Sequence, residues 1–351
     1  MGDKMSKRLG LKLRRARESL DLTQEELSKS VGLSSEFISL IEVGKRSPSL
    51  ASLKKISNFL KKDMAYFLTE EEDIFHLLLK DRTLNTRTKT EIKKFKKYCE
   101  DYLRIENITG RRLELGPGYL NVSPERMAYE ERRRIGLGDE PIRDIFVLVE
   151  MNGLRLFHQS FPKEAKISGI FVFYEAERAA FAMVNSSLTY GQQVIMAAHE
   201  YCHYLKDRNG GPILDNTDIL VEEYLPLYHP REKFAHEFAL HFLLPHIKLR
   251  QMIHREFRNK SLNFEDIVYL KRYFGVSTQL MLQALYKLKF LSLQRLTEFS
   301  ELDHIAYEES LFGNLIGDTK PVRGRAQTST SDRYKSLGVT AYQKKGEIEK
   351  V

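Results

Sequence analysis

Two histidines and a glutamate stand in the order H-E-x-x-H within the stretch QVIMAAHEYCHYLK, as His199, Glu200 and His203. On an α-helix, residues four apart project from one face a turn from each other, so both imidazoles can reach one tetrahedral Zn²⁺. Glu200 lies about 100° around the helix from His199, beside the ion and not on it. The pattern predicts metal-assisted hydrolysis, with Glu200 as the general base that takes a proton from an activated water.

A hydrolytic zinc site needs a third protein ligand, because three protein ligands leave the fourth position to water. We expect a second helix to deliver an acid, a histidine or a cysteine. The stretch HPREKFAHEFALHFLLP starts such a helix at Pro230, with phenylalanines at four-residue spacing along one stripe. Glu232 lies in its first turn and His236 lies one turn later. The small side chains of Ala235 and Ala239 would let this helix approach the first one closely.

These two stretches carry a family resemblance. The run FAMVNSSLTYGQQVIMAAHEYCHYL and the pattern E-x-x-A-x-x-F-A-x-x-x-L-L-P, from Glu232 to Pro245, resemble the ImmA/IrrE family of zinc metallopeptidases. The resemblance implies that His199, His203 and Glu232 bind zinc and that Glu200 is the catalytic acid/base. Known members of that family cleave helix-turn-helix repressors and relieve gene repression.

The chain departs from the family pattern at two positions. Cys202 stands where the family usually has glycine, and it is small enough for a close helix contact. His236 stands where the family usually has asparagine or aspartate, so it either orients a ligand or competes for the ion. Just before the second helix, Tyr228 and His229 can donate a hydrogen bond to a tetrahedral oxyanion. The alternative is that they are ordinary loop residues.

The N-terminal fifth of the chain is basic and helical. Met1 to Leu68 contains 14 Lys and Arg against 8 Asp and Glu, a charge that suits phosphate contacts. We predict five short helices, with Thr23 and Glu26 forming a capping box and Gly32 ending the second helix. The stretch LTQEELSKSVGLSSEFISLIEVGKRSPSLASLKKIS resembles the sequences of the XRE family of phage-type repressors, which contain a helix-turn-helix.

By that resemblance, the third helix, SEFISLIE, enters the major groove of an operator. The residues expected to contact double-stranded DNA are Gln24, Ser35, Glu36 and Ser39 on bases or backbone, and Lys45 and Arg46 on phosphate. The alternative is a small helical bundle that binds protein. Repressors of this type generally read paired half-sites as dimers, which leaves a homodimer open.

Composition and pattern divide the chain into four segments. We assign 1–69 to the DNA-binding domain, 70–110 to a helical linker, 111–300 to the zinc metallopeptidase domain with helical support, and 301–351 to a partly flexible tail. In the linker, acids interleaved with basic residues favour a solvated connecting helix over a nucleic-acid contact. The closing stretch of the tail can form one helix that docks on a partner.

The order of elements predicts a mostly helical α+β fold, in which a five-helix phage-repressor-like domain precedes a zincin-like domain with a small sheet. Strands are predicted at GLRLFHQ, GIFVFYE and AAFAMVN. In zincins an edge strand beside the cleft binds the substrate backbone, and we assign that role to 179–185. The stretch between His203 and Glu232 is interpreted as a rim or lid of the cleft.

The composition indicates a soluble, cytoplasmic protein. Of its 351 residues, 42% are hydrophobic and 30% are charged, with a net charge of +8. Neither a signal peptide nor an apolar run of about 18 residues is present in the sequence. Cys99 and Cys202 lie in different contexts and indicate no disulfide framework.

The motifs together predict a DNA-binding transcriptional regulator with a zinc-dependent endopeptidase domain of the gluzincin kind. Its protein substrate would be a separate helix-turn-helix repressor or this chain itself. The alternative is a non-hydrolytic transcriptional regulator whose zinc domain senses a ligand or partner.

Overall fold

The chain divides into two compact units, Met1–His76 and Leu77–Val351. The computed structural model describes residues 6, 9–10, 12–14, 16–17, 22–60, 62, 64–68, 74–80, 83–208, 211–216, 230–257, 261–314 and 328–345. Most of these residues are helical, and a small mixed sheet lies in the second unit, which confirms the predicted fold class. None of the described helices is both long enough and apolar enough to cross a bilayer.

The first unit is a set of short helices around a small apolar core. The described residues between 6 and 17 are helical, and they precede α1 (Gln24–Val31), α2 (Ser35–Glu42), α3 (Leu50–Phe59) and α4 (Met64–Leu68). Thr23 and Glu26 form the predicted capping box, and Gly32 ends α1 with a φ of 67°, a left-handed conformation that favours glycine. Leu27 and Ile38 lie in the core and hold α1 against α2.

Helices dominate the second unit as well. The chain passes through α5 (Ile74–Lys80). The helices that follow it are α6 (Thr86–Thr109), α7 (Pro124–Arg134), α8 (Ile145–Met151), α9 (Tyr190–Lys206), α10 (Pro230–Leu243), α11 (His246–Glu256), α12 (Phe264–Phe274), α13 (Thr278–Lys287), α14 (Leu293–Ser300), α15 (His304–Phe312) and α16 (Asp332–Lys345). Helices α7, α9, α10, α12 and α13 contribute buried side chains to one apolar core, which also receives residues of the sheet. That core positions α9 and α10.

The sheet has the order β4-β2-β3-β1-β5. Its strands are β1 (Leu154–Gln159), β2 (Ile167–Tyr174), β3 (Ala179–Asn185), β4 (Ile213–Asn216) and β5 (Thr328–Ser329). β1 is parallel to β3, and the other neighbours pair antiparallel. The assignment of 179–185 as the substrate-binding edge strand is wrong, since β3 lies at the centre of the sheet with every residue buried. Strand β4, which we did not predict, forms an edge instead.

Helix α6 does not behave as the solvated connector that we expected from its charges. Its Phe95, Cys99 and Tyr102 are fully buried, and it packs against α16. Arg333 of α16 donates hydrogen bonds to the Tyr102 hydroxyl and to the carboxylate of Glu106. The closing helix thus forms as predicted, but it docks on the chain's own α6.

Candidate metal centre

Helix α9 presents its histidines from the interior of the second unit. Thr189 caps the helix, and Gln192 completes a capping box that fixes where the helix begins. His199 and His203 are both buried, and their ring centroids lie 4.7 Å apart, one turn from each other. The spacing in the sequence therefore produces the expected common face.

Helix α10 delivers an acid to the same point. It packs against α9, and its small Ala235 and Ala239 are fully buried. Oε2 of Glu232 lies 3.3 Å from Nε2 of His199 and 3.2 Å from Nε2 of His203. The two Nε2 atoms lie 3.0 Å apart. The three residues that the family resemblance selects therefore meet in one place.

The structure adds a fourth ligand candidate that the sequence analysis missed. Asp215 lies on β4, and its Oδ2 is 3.5 Å from Nε2 of His199 and 3.8 Å from Nε2 of His203. The candidate ligand atoms of His199, His203, Asp215 and Glu232 all lie within 4.8 Å of one another, and all four residues are buried. No motif spacing relates Asp215 to the H-E-x-x-H stretch, because it reaches the site through a strand pairing.

The donor set fits a zinc ion. Ligand atoms at 2.0–2.1 Å from a tetrahedral zinc lie roughly 3.3 Å from one another, close to the separations among these nitrogen and oxygen atoms. Oδ2 of Asp207 lies 2.8 Å from Nδ1 of His203. Such a carboxylate fixes the ring with Nε2 turned towards a metal, an arrangement common around histidine ligands.

The electrostatics of the cluster also suit a cation. Burial disfavours the charged imidazole of His203, but hydrogen bonds with Asp207 and Glu232 outweigh burial and raise its pKa to about 9. Burial likewise opposes ionisation of Glu232, yet hydrogen bonds with both histidines hold the pKa of that carboxyl below its ordinary value. A negative field that retains protons on imidazoles would also retain a divalent cation.

Glu200 lies beside the four ligand candidates and is fully buried. Burial raises its pKa well above the ordinary value, and the neighbouring carboxylates of Asp215 and Glu232 raise it further. Gly169 of β2 provides the space for this side chain, because a Cβ built there would lie 1.9 Å from Oε1 of Glu200. No pattern in the sequence marks this glycine as part of the site.

The remaining candidates of this unit are less central. His236 is buried, its Nε2 lacks a described partner, and burial together with the charge of His199 lowers its pKa to about 3. It is not a member of the four-residue cluster. Tyr228 and His229 lie outside the described residues, so their role as oxyanion donors stays a prediction.

Five of the six candidate DNA contacts of the first unit lie on or after α2. Ser35, Glu36, Lys45 and Arg46 are exposed, and Ser39 is half-buried. Arg46 also lies over the ring of Phe37, 5.1 Å from its centroid. Exposure of short polar and basic side chains is what a helix that reads a groove requires.

Gln24 differs from the other DNA candidates because its side chain is engaged within the unit. Its Nε2 donates to Oε2 of Glu42 at 2.7 Å. Glu42 is buried and also accepts from Nε and Nη2 of Arg17, at 2.7 Å and 3.0 Å. This network links the first helical segment, α1 and α2.

The fold and the site define a two-unit protein with an N-terminal helix-turn-helix domain and a metallopeptidase-like domain. Residues 13–67 match the family described as Helix-turn-helix, and residues 152–286 match the family described as IrrE N-terminal-like domain. The predicted fusion of an XRE-type helix-turn-helix with an ImmA/IrrE-type domain is therefore confirmed. Among curated proteins, none matches the chain.

Two solved structures resemble the chain over most of its length. The apo form of the competence regulator ComR from Streptococcus vestibularis is 15% identical, covers 87% of this chain and 96% of its own, and has a TM-score of 0.18. PlcR from Bacillus thuringiensis, in complex with the peptide PapR7 and DNA, is 14% identical, covers 88% of this chain and 100% of its own, and has a TM-score of 0.18. A TM-score of 0.18 is too low for either structure to indicate what this chain does.

Proposed function

We propose that this protein is a DNA-binding transcriptional regulator whose second unit is a zinc-dependent endopeptidase. The observation that carries the proposal is the convergence of His199, His203 and Glu232 next to the buried carboxylate of Glu200. The proposed substrate is a helix-turn-helix repressor, either a separate protein or this chain. The match of residues 152–286 to the IrrE N-terminal-like family supports this class of reaction.

The chemistry follows from the positions of the residues. His199, His203 and Glu232 would hold zinc, which as a Lewis acid would polarise the scissile carbonyl and lower the pKa of water. Glu200 accepts the proton of the attacking water on a carboxylate oxygen and donates it to the departing amide nitrogen. Burial of Glu200 excludes bulk water from this proton transfer. Asp207 keeps the His203 ring in place.

The substitution Glu200→Gln tests the hydrolytic step. We expect the variant to retain about one equivalent of zinc and to lose cleavage of repressor substrates, since the amide cannot accept the proton. Purified wild type would be incubated with zinc or with a chelator, alone and with candidate repressors, and the products identified by mass spectrometry. Glu237→Gln is the matched control, because Glu237 lies on α10 outside the metal cluster. Normal cleavage by Glu200→Gln would remove Glu200 from the mechanism.

The same geometry supports a second candidate function, a non-hydrolytic regulator whose metal domain senses a ligand or partner. The observation that favours it is Asp215, which makes the set of protein ligand candidates four, the number typical of closed structural zinc sites. Operator binding that responds to metal, with no proteolysis of any tested repressor, would favour this candidate over the peptidase.

The first unit is proposed to bind an operator in double-stranded DNA through α2, as a monomer or as a homodimer. The exposed Lys45 and Arg46 would contact phosphates, and Ser35, Glu36 and Ser39 would face the groove. Selection of bound DNA from a random library, followed by a mobility-shift assay at several salt concentrations, tests this assignment.

A further inference from the structure

Strand β4 pairs with β2 directly beside the metal cluster. The pairing is antiparallel, with Gly169 opposite Asp215, Ile170 opposite Leu214 and Phe171 opposite Ile213. β2 also packs against α9, the helix that carries the two histidines. Without the four residues of β4, β2 would present a free edge to the cleft. An extended peptide adds to such an edge through main-chain hydrogen bonds.

Asp215 projects from this strand into the cluster. It is 3% exposed, and its Oδ2 lies within 3.8 Å of both histidine Nε2 atoms. Together with Glu232 it completes four protein ligand candidates. A hydrolytic zinc site keeps one position for water, whereas a set of four protein ligands fills a tetrahedron. With an ion bound by all four, the carboxylate of Asp215 would take the position that water needs during hydrolysis.

A positive charge nearby would stabilise the buried carboxylate of Asp215. It lies next to the buried Glu200 and close to Glu232, and several carboxylates together in a buried site repel one another unless a positive charge is present. A bound metal would supply that positive charge. Asn216, the next residue of β4, is exposed and is not part of the cluster.

We infer that Ile213–Asn216 is an internal cap that closes the peptidase site, with Asp215 as a displaceable fourth metal ligand. This inference rests on the proposed function. The cap occupies both places that a substrate needs, the edge of β2 and the fourth position on the ion. The substrate class that opens it is an extended peptide segment, which replaces β4 on β2 and withdraws Asp215 from the metal.

The test uses the full chain loaded with Co²⁺, whose visible absorption reports the coordination of the ion. Wild type, Asp215→Ala and Asn216→Ala would be titrated with acetohydroxamate, a small ligand that needs an open metal position. We expect Asp215→Ala to keep one equivalent of metal and to bind acetohydroxamate at least tenfold more tightly than wild type. Asn216→Ala, the control on the same strand, should behave as wild type.

Two results would overturn the cap. Equal acetohydroxamate binding by wild type and Asp215→Ala would mean that the fourth position is already open. Loss of metal from a folded Asp215→Ala would make Asp215 an indispensable ligand. If Asp215→Ala fails to fold by circular dichroism, Asp215→Asn takes its place under the same criteria. A folded wild type that binds no metal overturns the proposed function and the cap together, whereas an open position in metal-loaded wild type overturns the cap alone.

Discussion

The two units place their candidate functional residues in opposite environments. In the first unit, Ser35, Glu36, Lys45 and Arg46 are exposed and lie within twelve consecutive residues. In the second, the four members of the metal cluster are buried and come from α9, β4 and α10. A surface that reads DNA needs little more than a correctly folded helix, whereas a buried metal site needs three elements to meet. A substitution at the buried site of the second unit should therefore have a larger effect than a substitution on the exposed surface of the first unit.

The largest effect is expected from removing a metal ligand. In His203→Ala, one of about four ligands that share roughly 10–16 kcal/mol of zinc-binding free energy is lost, so affinity should fall by roughly 100- to 1,000-fold. Competition with a chromogenic chelator measures the change. His254→Ala is the control, since His254 is exposed and outside the cluster. Unchanged zinc affinity in His203→Ala would separate α9 from the metal centre.

Gly169→Ala tests whether the buried site depends on the close approach of Glu200 to the backbone of β2. The new Cβ would lie 1.9 Å from Oε1 of Glu200, so the Glu200 side chain must move. We expect metal content to persist and cleavage to fall about 100-fold, measured as the rate of product formation under zinc saturation. At the control position, Gly118, the nearest atom to an added Cβ is 3.8 Å away. Full activity in Gly169→Ala would show that Glu200 need not occupy its present place.

Acid should destabilise the second unit through His236. Burial, aided by the charge of His199, lowers its pKa to about 3, whereas the unfolded chain binds the proton at about 6.5. The unfolded state therefore takes up more protons as the pH falls from about 6.5, and stability declines. In metal-free protein, the difference in unfolding free energy between wild type and His236→Asn should change by about 2 kcal/mol from pH 7.5 to pH 5. Urea denaturation at both pH values measures it, and a pH-independent difference would contradict the assignment.

The smallest effect is expected on the exposed surface of the first unit. Lys45→Ala and Arg46→Ala should each weaken operator binding by about tenfold or less and lower the slope of log affinity against log salt by about 1. Thermal unfolding should stay as in wild type, because both side chains are exposed. Mobility shifts at several salt concentrations give the slopes. An unchanged slope in both variants would remove these residues from the phosphate contacts.

Glu42 offers a contrast within the first unit itself. It is buried and bonded to both Arg17 and Gln24, so its carboxylate joins helices that are separate in sequence. Gln24 was assigned to DNA only by the resemblance to phage-type repressors. The contact between Gln24 and Glu42 depends on how the helices pack, and the sequence around Gln24 does not indicate that packing.

The sequence by itself determined the helix-turn-helix, the zinc-type motif of α9, the approach of α10 and the three predicted strands, because each depends on spacing within one helix or strand. Only the tertiary structure decided that β3 is central, that α6 is buried under α16, and that Asp215 and Gly169 belong to the site. These features arise from strand pairing and helix packing between residues far apart in the chain. The spacing of residues within one helix or strand carries no information about which distant residues meet. The packing of the shared core fixes those contacts.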